Sequence, residues 1–149
     1  MGRIRIDFPA PVRYRERLCL TVEDVNRRGH LGHDRLVWRL NRVRPRFFAH
    51  LGFDESAMGG GGLILADFAL VCRHEAFAGE ELDVELAVGE VGRKGVELFF
   101  RVSSRTHDRL VALAKAGMVL FDYAGRRPVA LPADLRRALA ADAAVKEDA

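Results

Sequence analysis

The stretch EDVNRRGHLGHDRL, Glu23 to Leu36, gathers three acids, an amide, two histidines and two glycines just before an apolar run. Such groups can move protons. Histidine is the side chain that titrates near neutral pH, so His30 is a candidate general base; the structural alternative is that it braces the loop. Asp24 precedes Asn26 by two positions, and an extended chain turns both side chains to one side. Asp24 then either orients His30, acts itself, or only bonds backbone amides in a turn. Asp34 suits a helix N-cap. A further acid, Asp67, interrupts the apolar run LILADFALVC. A buried carboxyl must be paired or neutralised, so Asp67 is either an acid facing a ligand groove or an outward residue at a sheet edge.

The segments around these residues must position them. Val12 to Val22 reads as a strand that becomes more apolar along its length. Leu36, Val37, Leu40, Val43, Phe47, Phe48 and Leu51 recur at three- and four-residue spacing, which predicts one apolar helix face ending near Gly52. Trp38, Phe47 and Phe48 are assigned to the core. Pro45 lies inside that helix, where it removes a backbone donor and clashes with the preceding turn, so a kink or a restart is expected there. The rest reads as sheet: Leu63 to Cys72, then Leu82 to Val88 and Val96 to Val102 as a hairpin across VGRKG, then Leu110 to Phe121. Pro132 to Ala140 predicts a short amphipathic helix. The order of one strand, one long helix and four antiparallel strands predicts an α+β domain over residues 1–141, in which the sheet wraps the helix. The tail, residues 142–149, is expected to be disordered.

Composition narrows the classes. At 149 residues and 49% hydrophobic, one domain with a real core is expected. The 24 Lys and Arg are nearly matched by 21 Asp and Glu, and no basic stripe interleaved with aromatics appears, which argues against nucleic acid as a partner. Cys19 and Cys72 match no metal-ligand spacing and sit in apolar runs, so buried free thiols and no metal are expected. No cofactor motif is present either: Gly59, Gly60, Gly61 and Gly62 are not a phosphate loop, since no Gly-Lys-Ser/Thr and no helix follow. These glycines are read as a connector, or as a lid or a close backbone approach to a ligand. The N-terminus lacks the apolar core of a signal peptide and no membrane-length run occurs, so a soluble, cytoplasmic protein is expected. A single helix covers one sheet face, and a second copy is expected on the other face or an edge, making a homodimer or homotetramer.

The order of elements and four stretches together resemble the hotdog-fold acyl-CoA thioesterases, in the branch related to 4-hydroxybenzoyl-CoA thioesterase. The stretches are EDVNRRGHLGHDRL, FFAHLGFDE, GGGGLILADFALVCRHEAFAGEEL and ALAKAGMVLFDYAGRRPVALP, and the resemblance runs from about Val12 to Leu139. The family motif has an acid three residues before a glycine, then histidine and asparagine, then a helix with Glu-Ala-Arg. Gly29 and His30 match it, but Asn26 stands at the acid and Arg42, Val43 and Arg44 stand at Glu-Ala-Arg. A family variant, with Asp, any residue, Asn and a later His-Leu-Gly-Asn-Asp, matches at Asp24, Asn26, His30, Leu31, Gly32 and Asp34, with His33 replacing asparagine.

The resemblance implies hydrolysis of an acyl-CoA thioester to free acid and CoA. Such a reaction needs a nucleophile and a donor for the oxyanion that builds on the thioester oxygen. Asn26 can hold water or donate to the carbonyl but cannot act as a base, so the base must be elsewhere. The resemblance also puts the His33 backbone amide at the helix start, where free N–H groups suit an oxyanion. Charge makes Arg93 and Lys94, with Arg126 and Arg127, candidates for the CoA phosphates, each equally readable as a solvated turn residue. Two alternatives follow from the same residues. Asn26 and Arg42 at acid positions suggest an acyl-thioester binding module without chemistry. DVNRRGH faintly resembles the hotdog enoyl-CoA hydratase signature, with its histidine one residue late and no proline.

Overall fold

The structure, a computed structural model, describes residues 2–141; the expected disordered tail lies outside the described residues. Its elements are β1 (Tyr14–Cys19), a short 3₁₀ turn (Val22–Asp24), α1 (His33–His50), β2 (Gly62–Cys72), β3 (Glu81–Val91), β4 (Gly95–Ser104), β5 (Arg109–Asp122), β6 (Arg127–Pro128) and α2 (Ala133–Ala140). The strands form one antiparallel sheet in the order β1-β3-β4-β5-β2, with β6 on the end of β5. β2 is an edge strand, and its register breaks in a bulge between Leu65 and Asp67.

α1 forms because its apolar residues recur at helical spacing. Leu36, Leu40, Val43, Phe47 and Phe48 are all buried and share one core cluster with the inward residues of β3, β4 and β5, among them Leu82, Leu86, Leu98, Phe100 and Leu120. Each such side chain contributes about 1.5–3 kcal/mol by leaving water. Leu131, Leu135 and Leu139 carry α2 into the same cluster, and Arg13, just before β1, holds the helix end by donating to the carbonyls of Leu139 (2.7 Å) and Ala138 (2.8 Å) while its own N–H donates to the Leu86 carbonyl of β3. The opposite sheet face is mixed: Glu85 accepts from both Arg15 and Arg101 at 2.8 Å and Lys115 pairs with Glu97, beside the half-buried Phe99, Leu113, Val119 and Phe121.

Several expectations change. α1 is continuous from His33 to His50, so Pro45 does not restart it; the proline sits on the exposed side, where the freed Asn41 carbonyl can meet water. Asp34 is not the N-cap. Gly32 holds that position in an extended conformation (φ −76°, ψ 142°), and Asp34 lies inside the first turn. Trp38 is not a core residue: it is 43% exposed, under the guanidiniums of Arg35 (4.3 Å) and Arg42 (4.8 Å). On the helical wheel it falls opposite the core stripe, which the three-and-four spacing alone does not reveal for a lone aromatic. Cys19 and Cys72 are exposed rather than buried, because both close strands that run out of the core at the sheet's rim.

The tetraglycine is a tight entry into β2. Gly59 and Gly60 have positive φ (59° and 119°), and a Cβ on Gly61 would lie 2.1 Å from the Phe121 carbonyl oxygen. Only glycine lets β2 start that close to β5. Gly61→Ala is expected to lower stability by about 1–3 kcal/mol, read as an earlier urea midpoint, because the obstacle is backbone and cannot rotate away. Gly2→Ala, with nothing within 4 Å of its Cβ, is expected to leave that midpoint unchanged.

Candidate active site

The loop between β1 and α1 is built from backbone bonds that its glycines and acids permit. Thr21 and Asp24 form a reciprocal capping box around the 3₁₀ turn. The chain then turns back on itself: the Asn26 N–H donates to the His30 carbonyl at 2.8 Å, and Gly29 adopts φ 84°. The Gly32 N–H donates to the Asp24 carbonyl at 3.1 Å, and the Leu31 N–H reaches the Ala76 carbonyl at 2.7 Å. This last bond, with the His30–Phe77 bridge, clamps the loop against the segment that leaves β2.

Between them lies a cleft of about 340 Å³, a size ordinary for a small-ligand site. Asn26, His30, Gly32, His33 and Leu36 line one wall; Cys72, Arg73, His74, Glu75 and Ala76 line the other, with Val111 and Ala112 at the back. The start of α1 opens here. Gly32 gives no side-chain cap, and the first intrahelical bond runs from the Leu36 N–H to the Gly32 carbonyl (2.9 Å), so the N–H groups of His33, Asp34 and Arg35 precede it. Together with the helix dipole they form a site for negative charge. Asn26 Oδ1 accepts from the Arg28 N–H at 3.0 Å, which leaves the Nδ2 hydrogens as the free donors of that side chain.

Asn26, His30 and His33 are thus brought together, and Asp24 and Asp67 are not. Asp24 is fully buried and faces away from the cleft: its carboxylate accepts from Arg39 Nη2 (2.6 Å) and Nε (3.0 Å) and from the Thr21 N–H (2.8 Å). The Arg39 guanidinium holds this carboxyl below its ordinary range, outweighing the opposing effect of burial. Asp67 is exposed, not buried. It pairs with Gly117 across the ladder, whereas the core-facing pairs are Phe68 with Ala116 and Leu70 with Ala114, so alternation turns Asp67 to the outer sheet face. The strand that carries it read as buried because its sequence is apolar on both faces.

Gly59 to Gly62, Arg93 and Lys94 cluster at the other end of the sheet: Gly62 pairs with Phe121, and the Lys94 carbonyl accepts from the Leu120 N–H. Ala112, at the cleft, is nine residues along β5 from Phe121, or about 30 Å. Within one chain these residues do not join the cleft. A second, more open hollow of about 760 Å³ lies near them, lined by Pro45, Phe53, Ser56, Leu63 and Tyr123. It carries fewer groups that can move a proton.

Arg73, His74 and Glu75 of this wall carry no expectation from the sequence, and Cys72 only that of a buried thiol. CRHE at the end of an apolar strand is the available signal, yet its relevance depends on the clamp to Ala76 and Phe77, a contact between segments far apart in the chain. No group of three or more His, Cys, Asp or Glu side chains suited to a metal occurs among the described residues. No helix there is long and apolar enough to cross a membrane.

The sequence pattern of the thioesterase-like superfamily matches residues 20–139, four-fifths of the chain. The protein belongs to that superfamily. No curated protein matches it. Solved structures share the superfamily's hotdog fold at low identity. A 1,4-dihydroxy-2-naphthoyl-CoA thioesterase from Synechocystis is 14% identical, with 85% of this chain and 94% of that one covered and a TM-score of 0.75. A thioesterase from Thermus thermophilus, solved with coenzyme A and zinc, is 19% identical over 88% and 100%, at 0.74. A protein from Staphylococcus aureus in complex with CoA is 17% identical over 89% and 86%, at 0.77. The α+β expectation of an antiparallel sheet around one long helix holds for this thioesterase-like chain.

Proposed function

We propose that this thioesterase-like protein hydrolyses an acyl-CoA thioester to a free acid and CoA. The observation that carries the reading is the uncapped start of α1 opening into a cleft that also holds Asn26 and three imidazoles. The thioester oxygen is bound by the N–H of His33 and its successors, where charge builds as water attacks. Asn26 Nδ2 donates to the thioester or holds the attacking water. Asp24 serves the loop's shape through Arg39. The C–S bond then breaks and the thiolate leaves as CoA after taking a proton. CoA-bound structures among the neighbours support the carrier.

The CoA phosphates and the distant basic residues are reconciled by a second copy. β2 hydrogen-bonds a neighbour on one side only and exposes Leu65 by 43%, which leaves an edge ready to pair. Antiparallel pairing of two β2 edges sets the tetraglycine end of one copy beside the cleft end of the other, so that Gly59 to Gly62, Arg93 and Lys94 reach the ligand from across the two-fold axis. A dimer is expected by sedimentation at micromolar concentration, and Leu65→Glu is expected to give monomer with greatly reduced turnover. A monomeric wild type would sink the shared site.

The direct test is release of free CoA thiol, followed with a colorimetric reagent, across short, long, branched and aromatic acyl-CoAs. Turnover well above background supports hydrolysis, and the preferred chain names the acyl class. Saturable binding without turnover would instead favour a binding module, and water addition to crotonyl-CoA a hydratase.

A further inference from the structure

We propose that His74 is the general base of this site, an inference that rests on the hydrolase reading and names the group that reading lacks. Asn26 has no basic atom, Asp24 is locked by Arg39 and Thr21, and Asp67 lies on the other face of the sheet. Apart from the exposed carboxylate of Glu75, the side chains of the cleft with a basic atom are its imidazoles, His30, His33 and His74.

Their anchoring separates them. His74 Nδ1 lies 2.7 Å from the Leu110 carbonyl oxygen. A carbonyl only accepts, so Nδ1 carries the hydrogen and the lone pair of the neutral ring is on Nε2. His30 Nδ1 stands 3.4 Å from the Leu31 carbonyl, too long to hold a tautomer firmly, and the His33 side chain makes no hydrogen bond among the described residues. The backbone under His74 is pinned as well. The Arg73 and His74 N–H groups donate to the Val111 carbonyl (2.8 and 3.3 Å), Arg109 Nη2 donates to the Glu75 carbonyl (2.8 Å), and the Ala76 carbonyl receives the Leu31 N–H from the opposite wall. A base held on a fixed strand end, with one tautomer and across the cleft from the oxyanion donors, is preorganised for water activation.

In the reaction Nε2 takes a proton from water as the oxygen attacks the thioester carbon. The resulting tetrahedral oxyanion lies at the α1 start. Its collapse breaks the C–S bond, and the imidazolium returns its proton to the leaving sulfur, giving a carboxylic acid, CoA thiol and neutral His74. The titratable and charged groups near this ring are His30 from the loop, His33 from α1, Cys72, Arg73 and Glu75 from its own segment, and Arg109 from β5.

His74→Asn tests the proposal, because the asparagine amide keeps a donor for the Leu110 carbonyl and deletes Nε2. With the acyl-CoA that the wild type hydrolyses best, kcat is expected to fall roughly 10²-fold or more while KM stays nearly constant. The acid limb of the kcat/KM pH profile is expected to disappear, and added imidazole to restore part of the rate. His30→Gln is expected to keep the limb. Turnover and a pH profile like the wild type's in His74→Asn, or loss of the limb in His30→Gln instead, would overturn His74 and leave the hydrolase standing. A wild type that turns over no acyl-CoA would remove the hydrolase reading itself, and His74 with it. Unchanged circular dichroism in each variant guards against misfolding.

Discussion

Asp24→Ala is expected to destabilise the protein by about 3–5 kcal/mol, the cost of breaking a buried pair from one side. The carboxylate has no exposed surface and receives Arg39 Nε and Nη2, while Arg35 stands at 3.8 Å; removing it leaves the partly buried Arg39 (23% exposed) with the Cys19 carbonyl but no opposing charge, and deprives the 3₁₀ turn of its cap. Urea unfolding at neutral pH reads the loss. A double-mutant cycle with Arg39→Ala is expected to be strongly non-additive, since either change breaks the same contact. The pH dependence has a defined sign. Arg39 holds the folded-state pKa below the ordinary value of 3.8, so the contribution is complete above that value and is lost as pH falls through the lower, folded one. The gap between wild type and Asp24→Ala is therefore expected to be full at pH 7 and to narrow below about pH 4. A gap that does not narrow in acid would mean that the pair is not what Asp24 contributes.

His33→Pro is expected to lower kcat by about 10²–10³-fold, the usual effect of deleting one oxyanion donor. His33→Ala is expected to change it little. The contrast isolates a backbone atom: alanine keeps the N–H and loses the imidazole, whereas proline loses both. Proline is well suited to the first position of a helix, where the N–H has no intrahelical partner. Gly32, at φ −76° and ψ 142°, already has the conformation that a following proline requires. Stability should thus survive the substitution, and circular dichroism with urea unfolding checks that it does. Equal losses in both variants would assign the role to the imidazole instead.

The helix, the strands and their antiparallel order were legible because each is written in local periodicity. Leu36 to Leu51 repeats at helical spacing and Leu82 to Val88 alternates, and these patterns survive whatever the rest of the chain does. The loop was legible too, since Asn26, His30 and His33 lie within one turn of the chain and reach the cleft together. Periodicity misled where a residue's surroundings come from elsewhere. Trp38 sits among apolar neighbours in sequence yet on the helix side away from the sheet, and Asp67 lies in an apolar strand that turns out to be an exposed edge.

Spacing from Asn26 points to Asp24, and spacing is blind to Arg39, fifteen residues on, which claims its carboxylate. His74 shows the converse. Its backbone N–H is held by the Val111 carbonyl, its segment is joined to the loop before α1 through Ala76 and Leu31, and its tautomer is set by Leu110, thirty-six positions later. Residue type and local pattern were enough for the fold and for the presence of a polar loop at the helix start. Which of those polar groups is free to react was decided by the tertiary structure, because protonation, tautomer and exposure depend on partners that local sequence does not contain.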